Sequence, residues 1–227
     1  MFRLLFLALS VAVATSATGA SAEPPPGSRI DPAPGSLAPM ETIDQAAARQ
    51  AMRTFAGCVA RARRRWAESA LTLPFLSSEQ NDYVRRGFGG FDDCMGYSGL
   101  ELRFYPPSMV GGMAEELIAT RYRSAGLDPI VQLTDESLES RGLVPRNVNE
   151  DFGLCVVRRD PALVREFLAT RPAASEERTG AGRLAPHLGA CLYQGQTLDF
   201  RLPALRALLA PALYRALTAL AAPQARN

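Results

Sequence analysis

The chain has no lysine: all 25 of its basic residues are arginine. It has one histidine, one tryptophan and four cysteines among 227 residues. Each shortage closes off a class of chemistry. Without lysine, Gly87-Phe88-Gly89-Gly90 is no phosphate loop, which needs that cation and a preceding strand. His187 is the one candidate imidazole base, and it follows Pro186 with no nucleophile motif nearby, which reads as a surface residue rather than part of a catalytic triad. No two cysteines are spaced as CxxC. That disfavours both a redox pair and a zinc site, whose ligands normally come as close pairs. Charge of one sign is lacking too. The net +2 becomes +1 when Arg3 leaves with the leader described below, so the basic excess of a nucleic-acid binder is absent. No cofactor motif is present. The 47% hydrophobic and 21% charged composition is that of an ordinary globular protein.

What is there begins with Met1-Phe2-Arg3, an apolar run from Leu4 to Val13, and the small residues Ala20-Ser21-Ala22. This pattern predicts a secretory signal at 1–22, cut between Ala22 and Glu23. The apolar stretch is too short for a permanent membrane span, and no cysteine follows the cut to carry a lipid. The expected location is outside the cytoplasm, a bacterial periplasm first and the extracellular medium second. Residues 23–41 hold six prolines and two glycines and read as a disordered lead-in.

The rest of the chain repeats itself. Cys58 and Cys94 are 36 positions apart, as are Cys155 and Cys191. A shift of 97 places Phe55, Cys58, Val59 and Arg61 on Phe152, Cys155, Val156 and Arg158. The same shift places Ser78-Glu79 on Ser175-Glu176, Arg86 on Arg183, and Pro106 on Pro203. Self-similarity at a fixed period is the mark of a duplicated unit. The expected organisation is a first helical module at 42–122, a linker at 123–148, a second module at 149–222 and a frayed tail at 223–227.

Helical spacing fills both modules. Ile43, Ala47, Ala51, Phe55, Val59, Ala62 and Trp66 form one apolar stripe, predicting a helix of about 25 residues that starts from a Thr42 cap and ends before Pro74. Its arginines mostly cover the other sides. Ser77-Ser78-Glu79-Gln80 opens a glycine-weakened helix toward Cys94, and Pro106-Pro107 opens a third through Tyr122. Leu100 to Tyr105 alternates like a short extended piece. In the second module, Asn149 is expected to cap one helix and Asp160-Pro161 the next. Ser175-Glu176-Glu177 then leads to Cys191, and a last helix spans Pro203 to Ala222 across Pro211. The fold class is mostly α: two tandem three-helix modules, packed together.

Four cysteines allow three pairings. An oxidising compartment favours disulfides, and the equal spacings favour Cys58–Cys94 and Cys155–Cys191, one staple per module. The densest basic patch is Arg61, Arg63, Arg64 and Arg65 with Trp66, a candidate anion or acidic-partner surface whose simpler reading is a solvated helix face. Carboxylate pairs such as Glu176-Glu177 read as capping charges. Glu115-Glu116 stand out because Ala212-Leu213 occupy the equivalent positions.

Phe152-Gly153-Leu154-Cys155-Val156-Val157-Arg158, Ser175-Glu176-Glu177, Gly189-Ala190-Cys191 and Ala212-Leu213-Tyr214-Arg215 resemble uncharacterised exported proteins of alphaproteobacteria. The resemblance implies export, duplication and helical content, and carries no catalytic or binding residue with it. The expected function is that of an exported, non-enzymatic protein binding an envelope partner or ligand. The alternative is a hydrolase of envelope polymer using Glu115 and Glu116.

Overall fold

The computed structural model describes residues 44–87, 90–95, 105–193 and 201–222. The signal segment with its Ala22–Glu23 cut, the proline-rich 23–41, residues 100–104 of the extended piece and the 223–227 tail lie outside them. Among the described residues every regular element is a helix. In chain order these are α1 (Gln45–Ala62), α2 (Arg64–Thr72), α3 (Ser78–Gly87), α4 (Asp92–Met95), α5 (Pro106–Arg121), α6 (Asp128–Val131), α7 (Asp135–Ser140), α8 (Val148–Arg159), α9 (Pro161–Ala169), α10 (Ser175–Gly189) and α11 (Leu202–Ala221). Both disulfides pair as the spacing favours. Cys58–Cys94 ties α1 to α4, and Cys155–Cys191 ties α8 to the turn after α10. Two structural disulfides suit an oxidising compartment.

The apolar stripe at the start is two helices rather than one. Arg63 leaves helical geometry (φ −128°, ψ 48°) and separates α1 from α2. Nothing in Arg63-Arg64-Arg65 signals a break. Packing at the bend makes it: Trp66 stacks on Tyr83 of α3 at 5.5 Å and meets Phe91 edge-on at 4.7 Å. Gly87 is glycine because a methyl group there would sit 2.6 Å from the Trp66 ring. Asp160 occupies the matching place between α8 and α9, and there the cap was legible: its carboxylate accepts from Leu163 N at 2.8 Å, with Pro161 opening α9. Arg64 and Pro161 are 97 positions apart, and so are the helix ends Thr72 and Ala169.

Two caps differ from expectation. Asp44 caps α1, so the expected Thr42 lies before it, outside the described residues. Asn147, not Asn149, caps α8: its Oδ1 accepts from Asn149 N and Glu150 N while its Nδ2 donates to Phe75 O at 2.8 Å. That second bond reaches across to the α2–α3 turn, a long-range tie that local pattern does not reveal. The 123–148 bridge is folded, and α7 falls where Thr134 to Arg141 reads as a short helix. It holds α6, and α7 with its Thr134 cap, and buries Ile130 and Leu138.

The core is centred on α5 and α11, which pack on each other, with α1 against α5 and α8 against α11. Met109, Met113 and Leu117 of α5, and Leu209, Leu213 and Leu217 of α11, form i, i+4 ridges and are fully buried. Each such side chain contributes roughly 1.5–3 kcal/mol. Small residues set the spacing. A methyl group on Gly111 would lie 2.6 Å from Ala207 Cα, and one on Gly112 would lie 2.6 Å from Ala56 Cβ. Alpha11 is the one helix among the described residues long and apolar enough to cross a membrane, and 61% of that window is buried inside the fold. Here it is a core helix.

Candidate functional site

The turns after α2 and α9 are built alike, and each is held from outside its own half. Leu76 and Ala173, 97 positions apart, both adopt positive φ (63° and 66°), a strained choice for residues with a side chain. Buried acceptors secure them. Gln80 Oε1 takes the N–H of Leu76 at 3.1 Å, and Glu177 Oε2 takes that of Ala173 at 2.9 Å. Gln80 and Glu177 are themselves 97 apart.

The first helix of each half then crosses to the turn of the other. From α1, Arg53 donates to Thr170 O at 2.6 Å and Leu168 O at 3.2 Å. From α8, Glu150 accepts from Phe75 N at 2.9 Å, and the preceding Arg146 donates to Thr72 O and Leu73 O. Arg53 and Glu150 are equivalent positions carrying opposite charge.

Around Arg53 lies a buried ionic cluster. Arg206 of α11, 5% exposed, grips both oxygens of Glu115 on α5, Nε to Oε1 at 2.9 Å and Nη2 to Oε2 at 2.7 Å. Arg53 Nε is 3.1 Å from the same carboxylate. Arg206 also donates to Phe167 O, Leu168 O, Thr170 Oγ1 and Glu177 Oε1, so all three of its nitrogens are engaged. Arg49 completes the set, its Nη2 2.6 Å from the fully buried Glu177. Glu177, expected as a solvated capping charge, is a core residue.

A groove of about 230 Å³ opens beside this cluster, between α1, α5, the start of α11 and the α9–α10 turn. Met52, Gly111, Ala207 and Pro203 give it apolar walls; Ser108, Arg49 and Arg53 are its accessible polar groups; Tyr105 stands at the rim, 63% exposed. The equivalent place in the other half is nearly closed, at about 10 Å³. Leu208 stands there for Gly111 and Phe75 for Pro172, each 97 positions apart. Bulk fills one groove and is withheld from the other.

The filled side is an electrostatic staple. Glu150 is buried, and burial alone would raise its pKa. The Arg146 side chain, the N–H groups of Phe75 and Arg146, and the charge of Arg215 outweigh that and lower it from 4.5 to about 2. A carboxyl whose folded pKa is depressed adds stability above its unfolded value and loses it as pH falls through the folded one, here between pH 4.5 and 2. Such a shift corresponds to about 3 kcal/mol. Urea titrations from pH 6 to pH 2 should show Glu150→Gln losing about that much less stability on acidification than the unsubstituted protein. Parallel pH curves for the two would remove this role.

The sequence-stated candidates scatter. Glu115 faces the groove wall but both its oxygens are held, whereas Glu116 pairs with Arg61 at 2.8 Å. They form no free carboxylate pair across a cleft. Of the arginine run, Arg61 and Arg64 have the carboxylate partners Glu116 and Glu68, Arg63 and Arg65 are exposed, and Trp66 is packed inward. His187 lies 3.8 Å from the Asp160 cap. Among the described residues no three His, Cys, Asp or Glu side chains converge as metal ligands would. Arg49, Arg53 and Arg206 carry the groove, and one signal pointed to it: Arg206 is one of two charges, with Arg215, in a largely apolar helix. None of the protein-family models matches the chain, and no curated protein or solved structure matches it either.

Proposed function

We propose that this is an exported, non-enzymatic binding protein of the bacterial envelope, and that its ligand site is the groove beside Arg49. The periplasm is the compartment this reading assigns, on the leader-like 1–22 and the two disulfides. Duplication of one stapled helical unit is part of the same reading, supported by helix bounds, positive-φ turns and disulfides that recur at one offset.

One observation carries the assignment: of two places related by the 97-residue offset, one is filled by Leu208 and Phe75 and the other, with Gly111 and Pro172, is open. Gly111 itself is fixed by the close approach of Ala207, so the open groove rests on the turn, where Pro172 leaves the apolar α5–α11 seam uncovered and Phe75 fills the other place. Concave, mostly apolar sites with a few placed polar groups are where small molecules bind. Binding, rather than hydrolysis, follows from the carboxylates, since Glu115 and Glu177 both have their oxygens occupied by guanidinium or backbone donors.

The test is a thermal-shift screen of small organic molecules on the mature protein and on Ser108→Phe, which fills the groove. A ligand at about a hundred times its Kd adds about 2.7 kcal/mol, roughly 5–10 °C in a domain this size. Hits should appear and be lost in Ser108→Phe. A screen without hits, or hits that shift both proteins equally, would sink the proposal.

A further inference from the structure

We infer that the groove takes a small amphipathic monocarboxylate, its head at Arg49 and its apolar body along the α5–α11 seam; this rests on the binding reading above. The charges converging on the groove wall are three guanidiniums (Arg49, Arg53, Arg206) and two carboxylates (Glu115, Glu177), leaving one positive charge over. Where that surplus is available follows from the hydrogen bonds. Arg206 has every nitrogen engaged. Arg53 gives Nε to Glu115 and its two terminal nitrogens to Thr170 O and Leu168 O. Arg49 is part-exposed, as Arg53 is, but gives only Nη2, to Glu177, among the described residues. The free edge of Arg49 is thus the groove's anion-binding face.

The chemistry of the anion follows from charge and shape. A carboxylate presents two coplanar oxygens to one guanidinium edge and carries the single negative charge that balances the cluster. A dianionic phosphate would exceed the surplus and meet the buried Glu177 just behind Arg49. The remaining walls, Met52, Gly111, Ala207 and Pro203, ask for hydrocarbon, and the exposed Tyr105 ring can close over it. At about 230 Å³ the groove holds a body of roughly eight carbons, taking about 30 Å³ for each heavy atom, the share of one liquid water.

Octanoate, octanol and octylammonium are matched probes for calorimetric titration into the mature protein. Octanoate should bind at least about tenfold more tightly than octanol, and octylammonium should not bind measurably. Arg49→Gln should erase the preference for octanoate while leaving octanol unchanged, and Arg49→Lys should restore part of it. Should Arg49→Gln unfold, Ala48→Glu serves instead: Ala48 is exposed, lines the groove and would set a carboxylate at the mouth. It should weaken octanoate by about tenfold and octanol little. Octanol binding as tightly as octanoate, with both lost in Ser108→Phe, overturns the carboxylate inference and leaves groove binding standing. Octanoate binding that neither Arg49→Gln nor Ala48→Glu changes overturns it as well. Failure of all three probes overturns the inference, while the groove itself stands or falls on the library screen.

Discussion

Arg206→Met will lower the melting temperature by roughly 6–20 °C, the equivalent of about 3–5 kcal/mol, and be the most damaging single substitution in the fold. The reason is the number of buried groups on which Arg206 converges. Its removal leaves Glu115 with only Arg53 and Glu177 with only Arg49 and a backbone N–H. It also takes one of three donors from the Phe167 carbonyl at the end of α9, which keeps Thr170 N and Oγ1. A buried charge stripped of its partner costs more than the pair contributed, because desolvation persists when the attraction is gone. The same logic predicts strong non-additivity. Arg206→Met with Glu115→Leu should be less damaging than the sum of the single changes, since the second removes the charge that the first strands. Thermal melts of the three variants decide it. A shift under about 3 °C for Arg206→Met, or simple addition in the double variant, would mean that the cluster is wetter and weaker than its geometry implies.

That cluster also marks where sequence reasoning reached and where it stopped. The helical class was legible because apolar residues recur at three and four positions, and the disulfide pairing because equal spacings repeat. Caps were legible where a local signal is complete, as at Asp160-Pro161 and Ser77, whose hydroxyl accepts from Gln80 N at 3.0 Å. They were missed at Asn147, whose choice depends on Phe75 some seventy positions away. The bend at Arg63 left no trace because an aromatic packing contact made it, with neither proline nor a capping side chain. Arg49 and Arg53 passed for a solvated face, since a long arginine stem lies along apolar surface whichever way its head turns. Sequence shows the residue and withholds the head.

Gln80 and Glu177 are the more instructive miss. At the 97-residue offset they differ in formal charge and read as unrelated, yet each supplies one buried oxygen to the N–H of a positive-φ residue. What the two turns share is an acceptor, which residue identity conceals. The charge difference has its own consequence. Gln80 is neutral and uses its Nε2 to satisfy Ala70 O itself, at 3.0 Å. Glu177 has no donor, and the carbonyl of Phe167, 97 positions beyond Ala70, accepts instead from Thr170 N and Oγ1, with Arg206 from α11 as a third donor. That arginine also holds Glu115 at the wall of the open groove. Both turns are thus wired across the fold, one to Arg146, Asn147 and Glu150 and the other to Arg53 and Arg206 at the candidate site.

Removing either disulfide by paired Cys→Ala substitution should cost about 4 kcal/mol, or roughly 8–16 °C, because both close loops of the same 36-residue separation. The loss should take different forms in the two halves. Beyond Cys191, α10 has its own anchors: Gly180 packs on Phe167, and Glu177 joins the buried cluster. Without Cys155–Cys191 it should keep native-state hydrogen-exchange protection, with the loss falling on global stability. Alpha4 is four residues long, far below what a helix needs to persist by itself, and Cys94 is its covalent tie to α1. Without Cys58–Cys94, amides of residues 90–95 should exchange much faster than the rest of the fold, by local opening that precedes global unfolding. Equal protection maps for the two variants would mean that α4 is held by packing around Phe91 rather than by its disulfide. In that case the staple in the first half acts as the one in the second does, through the unfolded chain alone.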